Sequence, residues 1–134
     1  FVTQKIIESV CDIAKKKSHE LEIGNINIER DWGWAPEYVI AMHAILQQEE
    51  PDDFIIATGN TISLKEFIVK AFDYFGLNHD NYLVIREDLF RPTDILVSKA
   101  DPSKAKKILK WEAKTNVDGV IKNMIEYNLN RNSN

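Results

Sequence analysis

Helical patterns alternate with short segments of strand length along this chain, and that alternation restricts its fold more than any other feature. Apolar residues recur at helical spacing from Phe1 to Lys17 and again from Pro36 to about Gln48. Strand-length segments follow these helices at Leu21–Ile23 and Phe54–Thr58. Alternating helices and strands of this kind predict an α/β or α+β fold.

The predicted strands are few and scattered. Phe54–Thr58 is continuously apolar and is closed by Gly59, a pattern that favours a buried strand of a parallel sheet. Further short strands are predicted at Tyr82–Ile85 and Ile95–Val97. Such strands do not suffice for a sheet that the chain closes by itself. We therefore expect the chain, which opens on an apolar segment without an initial Met, to be a piece of a larger fold.

Capping signals predict the remaining helices. Ser63, followed three residues later by Glu66, forms a capping box, and Gly76 suits a left-handed cap at the end of that helix. Two further helix starts are predicted at Asp101–Pro102 and, more weakly, at Thr115–Asp118.

Charge and composition exclude several classes of function. The 17 basic and 21 acidic residues give a net charge of -4, without the basic footprint of a nucleic-acid-binding protein. No apolar run approaches the roughly 18 residues of a membrane span, and no signal peptide is visible, so no membrane partner is expected. The single cysteine, Cys11, lies in an apolar helical pattern and is predicted to be a buried, inert thiol. A reducing cytoplasm is the expected location.

Sequence patterns of known catalytic sites are absent. The three histidines, His19, His43 and His79, do not have metal-ligand spacing, so no metal site is predicted. The sequence also contains no nucleophile elbow, no phosphate loop and no G-x-G-x-x-G dinucleotide fingerprint.

Two arginines stand in sequence contexts that suit anion binding. Arg30 precedes Asp31 and Trp32 just before a predicted helix, while Arg91 opens a proline turn with Asp94 three residues later. Arginine binds phosphate through a planar, bidentate fork, so two such residues held in loops would suit a diphosphate. Ordinary surface ion pairs are the alternative, and the residues alone leave both interpretations open.

A series of short motifs covers nearly the whole chain. Gly24-Asn25, Arg30–Gly33 and Tyr38–Met42 fit the pattern GN-x4-RDWG-x4-YV-x-AM. Further matching segments are Leu46–Gln48, Pro51–Gly59, Ser63–Phe67, Phe90–Asp94 and Asp101–Lys106, and the opening Phe1–Ile6 is similar to FVTRKI. This combination resembles the GDP-mannose 4,6-dehydratases, a family of extended short-chain dehydrogenase/reductases.

The resemblance implies an α/β fold, namely the C-terminal part of an extended Rossmann-type dehydratase. Residues 1–134 would comprise the sugar-nucleotide-binding subdomain plus the last strands and helices of the Rossmann core, with the N-terminal NADP-binding part absent. The helix from Pro36 and the strand at Phe54–Thr58 would belong to that core, so their apolar faces are expected to be exposed.

The resemblance also implies a set of substrate-binding residues. Val2 and Lys5 match positions that contact the GDP moiety from the first helix. Arg30 matches the arginine of the RDWG motif, and Arg91 and Asp94 match a later arginine and acidic residue. The family's catalytic Thr, Glu and Tyr-x-x-x-Lys residues have no counterpart here, so no catalytic or cofactor-binding residue is predicted.

The chain departs from the family pattern at several positions. Asp94 stands where Glu is usual, Trp34 where His is common, and Gln4 where an arginine is found. The segment between Gly76 and Phe90 is also shorter than in many members. These departures bear on the nucleotide sugar that is bound more than on the family.

The resemblance implies a lyase activity for the full-length protein. An NADP-dependent dehydratase would convert GDP-mannose to GDP-4-keto-6-deoxy-D-mannose, as a homo-oligomer in the cytoplasm, and the present chain alone would be inactive. The alternatives are another extended-family nucleotide-sugar epimerase or reductase, or a non-catalytic nucleotide-sugar-binding module.

Overall fold

The computed structural model describes residues 1–131, which form five α-helices and four short β-strands. The helices are α1 (Val2–Ala14), α2 (Ala35–Leu46), α3 (Leu64–Asp73), α4 (Ser103–Ile108) and α5 (Val117–Arg131). The strands are β1 (Leu21–Ile23), β2 (Glu29–Asp31), β3 (Thr61–Ser63) and β4 (Leu83–Ile85). Two short 3₁₀ helices, His79–Asn81 and Glu87–Leu89, flank β4.

The strands form two separate pairs. β1 and β4 are parallel, with Leu21 opposite Leu83, whereas β2 and β3 are antiparallel, with Arg30 opposite Ile62. A single parallel bridge joins Glu29 of β2 to Val97. The predicted strands at Leu21–Ile23 and Tyr82–Ile85 are therefore confirmed in place.

The main hydrophobic core lies where α1, α3 and α5 pack together over β1. Its largest fully buried side chains are Phe67, Phe72, Ile6, Ile7, Leu21, Leu64, Ile68 and Ile125. Phe72 also stacks on Tyr82, with ring centroids 5.7 Å apart. Cys11 is buried in this core, and burial raises the pKa of its thiol, which confirms the prediction of a buried cysteine.

A second, smaller core attaches α2 to the segment that follows α4. It is built on Ala41, Ala105 and Trp111, which are all buried. The Trp111 indole Nε1 donates to the carbonyl oxygen of Glu37 at 3.1 Å. The Glu37 carboxylate accepts from the Thr115 hydroxyl at 2.6 Å and from the backbone N–H of Lys114 at 3.0 Å. Glu37 thereby joins the first turn of α2 to a segment far along the chain.

Two of the predicted strands are wrong. Phe54–Thr58 is not a strand, and Ile55 within it is 55% exposed. A strand is defined by the backbone hydrogen bonds of a neighbouring strand, and no strand among residues 1–131 pairs with this segment. Ile95–Val97 is likewise not a strand, since it forms only the isolated bridge between Val97 and Glu29.

The predicted helix caps are confirmed at α3 and displaced at α4 and α5. The Ser63 hydroxyl accepts from the Glu66 N–H at 3.1 Å, and Gly76 has φ +66 just after α3. Asp101 accepts from the Ser103 N–H at 2.9 Å, so α4 begins one residue later than predicted. At α5 the cap is Asn116, which accepts from the Gly119 N–H at 2.9 Å, because the Thr115 hydroxyl is bonded to Glu37 instead.

The outer face of α2 is apolar and exposed, as expected. Val39, Ile40 and Met42 are 60–63% exposed, and Leu46 is 81% exposed. These side chains lie in water although residues of their type are usually buried. Among residues 1–131, no helix combines the length and apolar character that a membrane span requires.

Candidate functional site

A cleft of about 850 Å³ lies between the first turn of α1, the end of β1, the strand β2 and the segment that follows β4. All five of the residues predicted to bind substrate line it: Val2, Lys5, Arg30, Arg91 and Asp94. These residues are spread over most of the sequence, so the fold, rather than chain proximity, brings them together.

The cleft combines apolar walls with cationic side chains. Ile23, Ile28, Leu64 and Leu89 contribute apolar surface, and Trp32 adds an indole that also packs on Phe67 with ring centroids 5.2 Å apart. Three cationic side chains line the cleft, against the carboxylates of Asp31 and Asp94. Apolar walls with a few placed charges are typical of a site for an organic anion.

Val2 and Lys5 lie three residues apart on α1, so they share one face of its first turn. The adjoining face of α1 is buried in the main core through Ile6, Ile7 and Val10. Because that burial fixes the rotation of the helix, Val2 and Lys5 are held toward the cleft. The N-terminal end of a helix also carries partial positive charge, which favours an anionic ligand there.

Arg30 lies in β2 and keeps most of its hydrogen-bonding capacity. Its Nη1 donates to the backbone carbonyl of Glu29 at 2.7 Å, and among residues 1–131 its guanidinium forms no ion pair. A guanidinium has five N–H donors, so most of them are available to a ligand. The alternative that Arg30 pairs with Asp31 or Glu29 as a structural ion pair is not what the structure shows.

Asp31 does not pair with Arg30 because its carboxylate is already occupied. One oxygen, Oδ1, accepts from the Thr58 N–H at 3.1 Å and from the Thr58 hydroxyl at 2.8 Å. The other oxygen accepts from the Gly59 N–H at 2.8 Å. Gly59 has φ +78, a conformation that glycine adopts without strain, so the turn presents both N–H groups to one carboxylate.

Arg91 and Asp94 stand in a turn that is attached to β2. The Asp94 N–H donates to the Arg91 carbonyl at 3.1 Å, but the two side chains form no ion pair in the described part of the chain. Leu96 and Ser98 follow this turn in the chain. The Glu29 N–H donates to the Leu96 carbonyl at 2.7 Å, and the Glu29 carbonyl accepts from the Ser98 N–H at 3.1 Å. Those bonds place the Arg91 turn beside the strand that carries Arg30.

Gly24 permits a close approach of two backbones at the edge of the cleft. A Cβ atom at this position would lie 2.8 Å from the carbonyl oxygen of Leu89. The Arg86 N–H donates to Ile23 at 2.8 Å and joins the same two segments. Gly24 therefore lets the 3₁₀ helix that carries Leu89 close against the end of β1.

Gly33 likewise permits a close approach, in this case of the Tyr38 ring to the backbone. A Cβ atom on Gly33 would lie 2.1 Å from the Tyr38 hydroxyl oxygen, so the tyrosine ring packs directly over the glycine backbone. Burial, followed by the charges of Asp31 and Glu37, raises the pKa of Tyr38 to about 12. The Tyr38 hydroxyl is therefore neutral at physiological pH. The packing of Tyr38 over Gly33 explains the spacing between the RDWG and YV motifs.

The sequence pattern singled out five side chains that line this cleft but missed the residues that hold them. Asp31, Gly24 and the backbone of Glu29 each act on partners far along the chain, which no local pattern reveals. The only sequence signal of Gly24 and Asp31 is membership in the motifs Gly24-Asn25 and Arg30–Gly33, and Glu29 lies in the unspecified stretch between them. No group of three or more His, Cys, Asp or Glu residues suited to a metal ion occurs within residues 1–131.

Comparison with known proteins gives matches along nearly the whole chain. The sequence profile of the family described as GDP-mannose 4,6 dehydratase matches residues 1–124. GDP-mannose 4,6 dehydratase 1 of Arabidopsis thaliana is 41% identical over 129 residues, covering 96% of this chain and 36% of the relative. GDP-mannose 4,6 dehydratase of Dictyostelium discoideum is 40% identical over 142 residues, covering 93% of this chain and 40% of the relative.

The same fold occurs in solved structures of low sequence identity. RMD from Pseudomonas aeruginosa, solved in complex with NADPH, matches with a TM-score of 0.83 at 14% identity, over 94% of this chain and 41% of that one. This likeness confirms the predicted α/β fold class of the extended Rossmann-type enzymes. In each comparison the chain spans less than half the length of the protein that it matches.

Proposed function

Because the chain belongs to the GDP-mannose 4,6-dehydratase family, we propose that residues 1–134 form the sugar-nucleotide-binding, C-terminal part of such a dehydratase. The observation that carries this proposal is the meeting of Val2, Lys5, Arg30, Arg91 and Asp94 in one cleft. Neither arginine has an ion-pair partner among residues 1–131, so both are available to an anion.

The proposed ligand is GDP-mannose, and its parts suit different walls of the cleft. Arg30, Arg91 and Lys5 neutralise the diphosphate through charge-assisted hydrogen bonds. Val2 offers an apolar surface to the base or the sugar. Asp94 accepts a hydrogen bond from the nucleotide, either directly or through a water molecule, since its side chain is one methylene shorter than the usual Glu.

The proposed reaction of the full-length protein removes water from GDP-mannose and gives GDP-4-keto-6-deoxy-D-mannose. The family resemblance implies NADP as the cofactor, and RMD, which shares the fold, is solved with NADPH. The chain itself does not fit a dinucleotide: its five glycines nowhere form the G-x-G-x-x-G fingerprint that brings the backbone close to a pyrophosphate. We therefore assign NADP to an N-terminal part, and we expect the 134-residue chain alone to have no dehydratase turnover.

The full-length enzyme is further proposed to be a homo-oligomer in the cytoplasm. The family resemblance implies this oligomer, while the exposed apolar side chains of α2, between Val39 and Leu46, are proposed to be covered by the N-terminal part. Light scattering on the full-length protein measures the oligomeric state, and a stable monomer would contradict this part of the proposal.

Titration with nucleotides tests the binding proposal, and product analysis tests the reaction. The protein is titrated with GDP by calorimetry, with guanosine as the ligand that lacks the diphosphate. We expect GDP to bind and guanosine to bind far more weakly, whereas equal affinities would show that the arginines do not contact the diphosphate. Incubation of the full-length protein with GDP-mannose then separates a 4-keto-6-deoxy product from the simple epimer that an epimerase would release.

A further inference from the structure

The carboxylate of Asp31 connects the cleft to a segment that lies outside it. It accepts three hydrogen bonds, two from Thr58 and one from Gly59, at 2.8–3.1 Å. Those donors lie 27 and 28 residues further along the chain. A carboxylate that accepts two backbone N–H groups and a hydroxyl is a strong anchor, because charge-assisted hydrogen bonds are about twice as strong as neutral ones.

The position of Asp31 in β2 makes this anchor important for Arg30. The pairing of β2 with β3 extends over only three residues, and Asp31 is the last of them. A ladder this short holds its end weakly, so the side-chain anchor of Asp31 is what fixes the backbone just after Arg30. Within residues 1–131 the guanidinium itself has a single hydrogen bond, from Nη1 to the Glu29 carbonyl.

We propose that Asp31 is a positioning residue for Arg30, holding the strand so that the guanidinium meets the diphosphate of the nucleotide sugar. The proposal rests on the proposed function, since it assigns Asp31 a role only if Arg30 binds the diphosphate. The proposal has a second consequence. Arg30 is positioned by Thr58 and Gly59, which follow directly on the apolar segment that contains the exposed Ile55. The geometry of the cleft therefore depends on how that segment is held.

A double-mutant cycle distinguishes positioning from a general structural role. Asp31→Asn replaces one carboxylate oxygen by an amide that cannot accept, so at least one anchor bond is lost. We expect Asp31→Asn to weaken GDP binding by about tenfold, the loss of roughly one charge-assisted hydrogen bond. In an Arg30→Ala background we expect no further weakening, because the residue through which Asp31 acts is gone.

Two further variants keep the test informative if Asp31→Asn fails to fold. Thr58→Val removes the hydroxyl donor but leaves both backbone N–H donors, so we expect a smaller loss of GDP affinity that also vanishes in the Arg30→Ala background. Thr58→Ser retains the hydroxyl and should restore the affinity. Asp101→Asn is the matched control, since the Asp101 carboxylate also accepts a backbone N–H, from Ser103 at 2.9 Å, but outside the cleft. It should change the melting temperature without changing GDP affinity.

The outcomes separate the two proposals. If wild-type protein does not bind GDP, the proposed function is wrong, and the proposed role of Asp31 is wrong as well. Suppose instead that wild-type protein binds GDP and that Arg30→Ala weakens this binding. If Asp31→Asn and Thr58→Val then lower the GDP affinity equally with and without Arg30, Asp31 is not a positioning residue. Loss of affinity that depends on Arg30, together with rescue by Thr58→Ser, supports the positioning role.

Discussion

At the scale of single residues, the arginines of the cleft differ from Arg86 and Lys104 in their ion pairing. Arg86 is held by Glu22 and Asp88 on the surface, and Lys104 is held by Asp52. Arg30 and Arg91 form no ion pair among residues 1–131, although Asp31 and Asp94 lie near them in sequence. The guanidinium groups of Arg30 and Arg91 therefore remain available to an anionic ligand.

This difference predicts what replacing the arginines does. Arg30→Ala and Arg91→Ala should each weaken GDP binding by about 1.5–3 kcal/mol, roughly tenfold to a hundredfold, while the melting temperature changes little. Lysine replacements should recover only part of the affinity because a point charge does not reproduce the planar fork. Calorimetric titration with GDP measures the effect, and Arg86→Ala is the control that should bind GDP normally. Unchanged affinity in both alanine variants would refute the assigned site.

Gly24 provides a second prediction at this scale. Gly24→Ala places a Cβ atom 2.8 Å from the Leu89 carbonyl oxygen, and a backbone atom does not move aside as a flexible side chain does. We expect a loss of about 1–3 kcal/mol in the free energy of unfolding, typical of overpacking, together with weaker GDP binding.

Gly76→Ala is the matched control for this prediction. A Cβ atom at Gly76 meets nothing within 4 Å, but the backbone has φ +66. The variant should therefore be less stable through backbone strain alone and should bind GDP with unchanged affinity. Chemical denaturation and GDP titration of both variants test the pair, and equal GDP affinities for the two would contradict a role of Gly24 in the cleft.

At the scale of elements, the features predicted best from the sequence are those that depend on residues close together in the chain. The Ser63 cap of α3 and the left-handed Gly76 are local, and both are confirmed. The Thr115 cap was wrong because its hydroxyl is bonded to Glu37, a partner 78 residues away. The predicted strand at Phe54–Thr58 was wrong for a related reason. The apolar pattern lies in the segment itself, but a strand also needs backbone hydrogen bonds to a neighbouring strand, and residues 1–131 contain none that pairs with it.

The same distinction applies to the candidate site. Arg30 and Arg91 were singled out because arginine suits phosphate, but the expectation that both lie in loops is wrong for Arg30, which lies in β2. The anchor of Asp31 on Thr58 and Gly59 was not predictable, because a carboxylate beside an arginine suggests an ion pair until the fold supplies other donors.

Glu37 gives a prediction about the attachment of α2. Hydrogen bonds from Thr115, first from its hydroxyl, hold the pKa of the Glu37 carboxyl below its ordinary value of 4.5. A carboxyl with a lowered pKa in the folded state stabilises the fold above its ordinary pKa, and this stabilisation is lost as the pH falls through the lowered value. Glu37→Gln should therefore be less stable than wild type at neutral pH, with the difference narrowing below pH 4.5.

Thermal unfolding of both proteins between neutral and acidic pH measures this narrowing. Glu112→Gln is the control, because the Glu112 carboxyl pairs with Lys106 on the surface and ties no helix to a distant segment. A stability difference for Glu37→Gln that stays constant across the pH range would show that the carboxylate form is not what joins α2 to Thr115.

At the scale of the whole molecule, exposed apolar residues occur both around α2 and in the segment Ile95–Val97. The outer face of α2 and Ile55 lie in water, while the core formed by α1, α3 and α5 is well buried. The chain also spans only 36–40% of the length of the dehydratases from Arabidopsis thaliana and Dictyostelium discoideum. Under the proposed function, both facts have one cause: these surfaces pack against the N-terminal part of the enzyme.

Ile55→Lys tests this interpretation because its effect depends on context. Ile55 is 55% exposed in the present chain, so a lysine there should leave the melting temperature of the 134-residue chain nearly unchanged and reduce its self-association. In the full-length enzyme, Ile55 is proposed to be covered by the N-terminal part. An unpaired lysine buried there should lower stability by several kcal/mol, since burial of a lone charge is costly.

The comparison requires a lysine on an apolar surface that the N-terminal part does not cover. Tyr127 on α5 is 67% exposed and lies outside α2 and the segment at Phe54–Thr58, so Tyr127→Lys should be tolerated in both contexts. Melting temperatures and light scattering of the two variants, each in the short chain and in the full-length protein, give four comparisons. If Ile55→Lys is as harmless in the full-length protein as Tyr127→Lys, the N-terminal part does not cover Ile55, and the proposed division between the two parts of the enzyme is wrong.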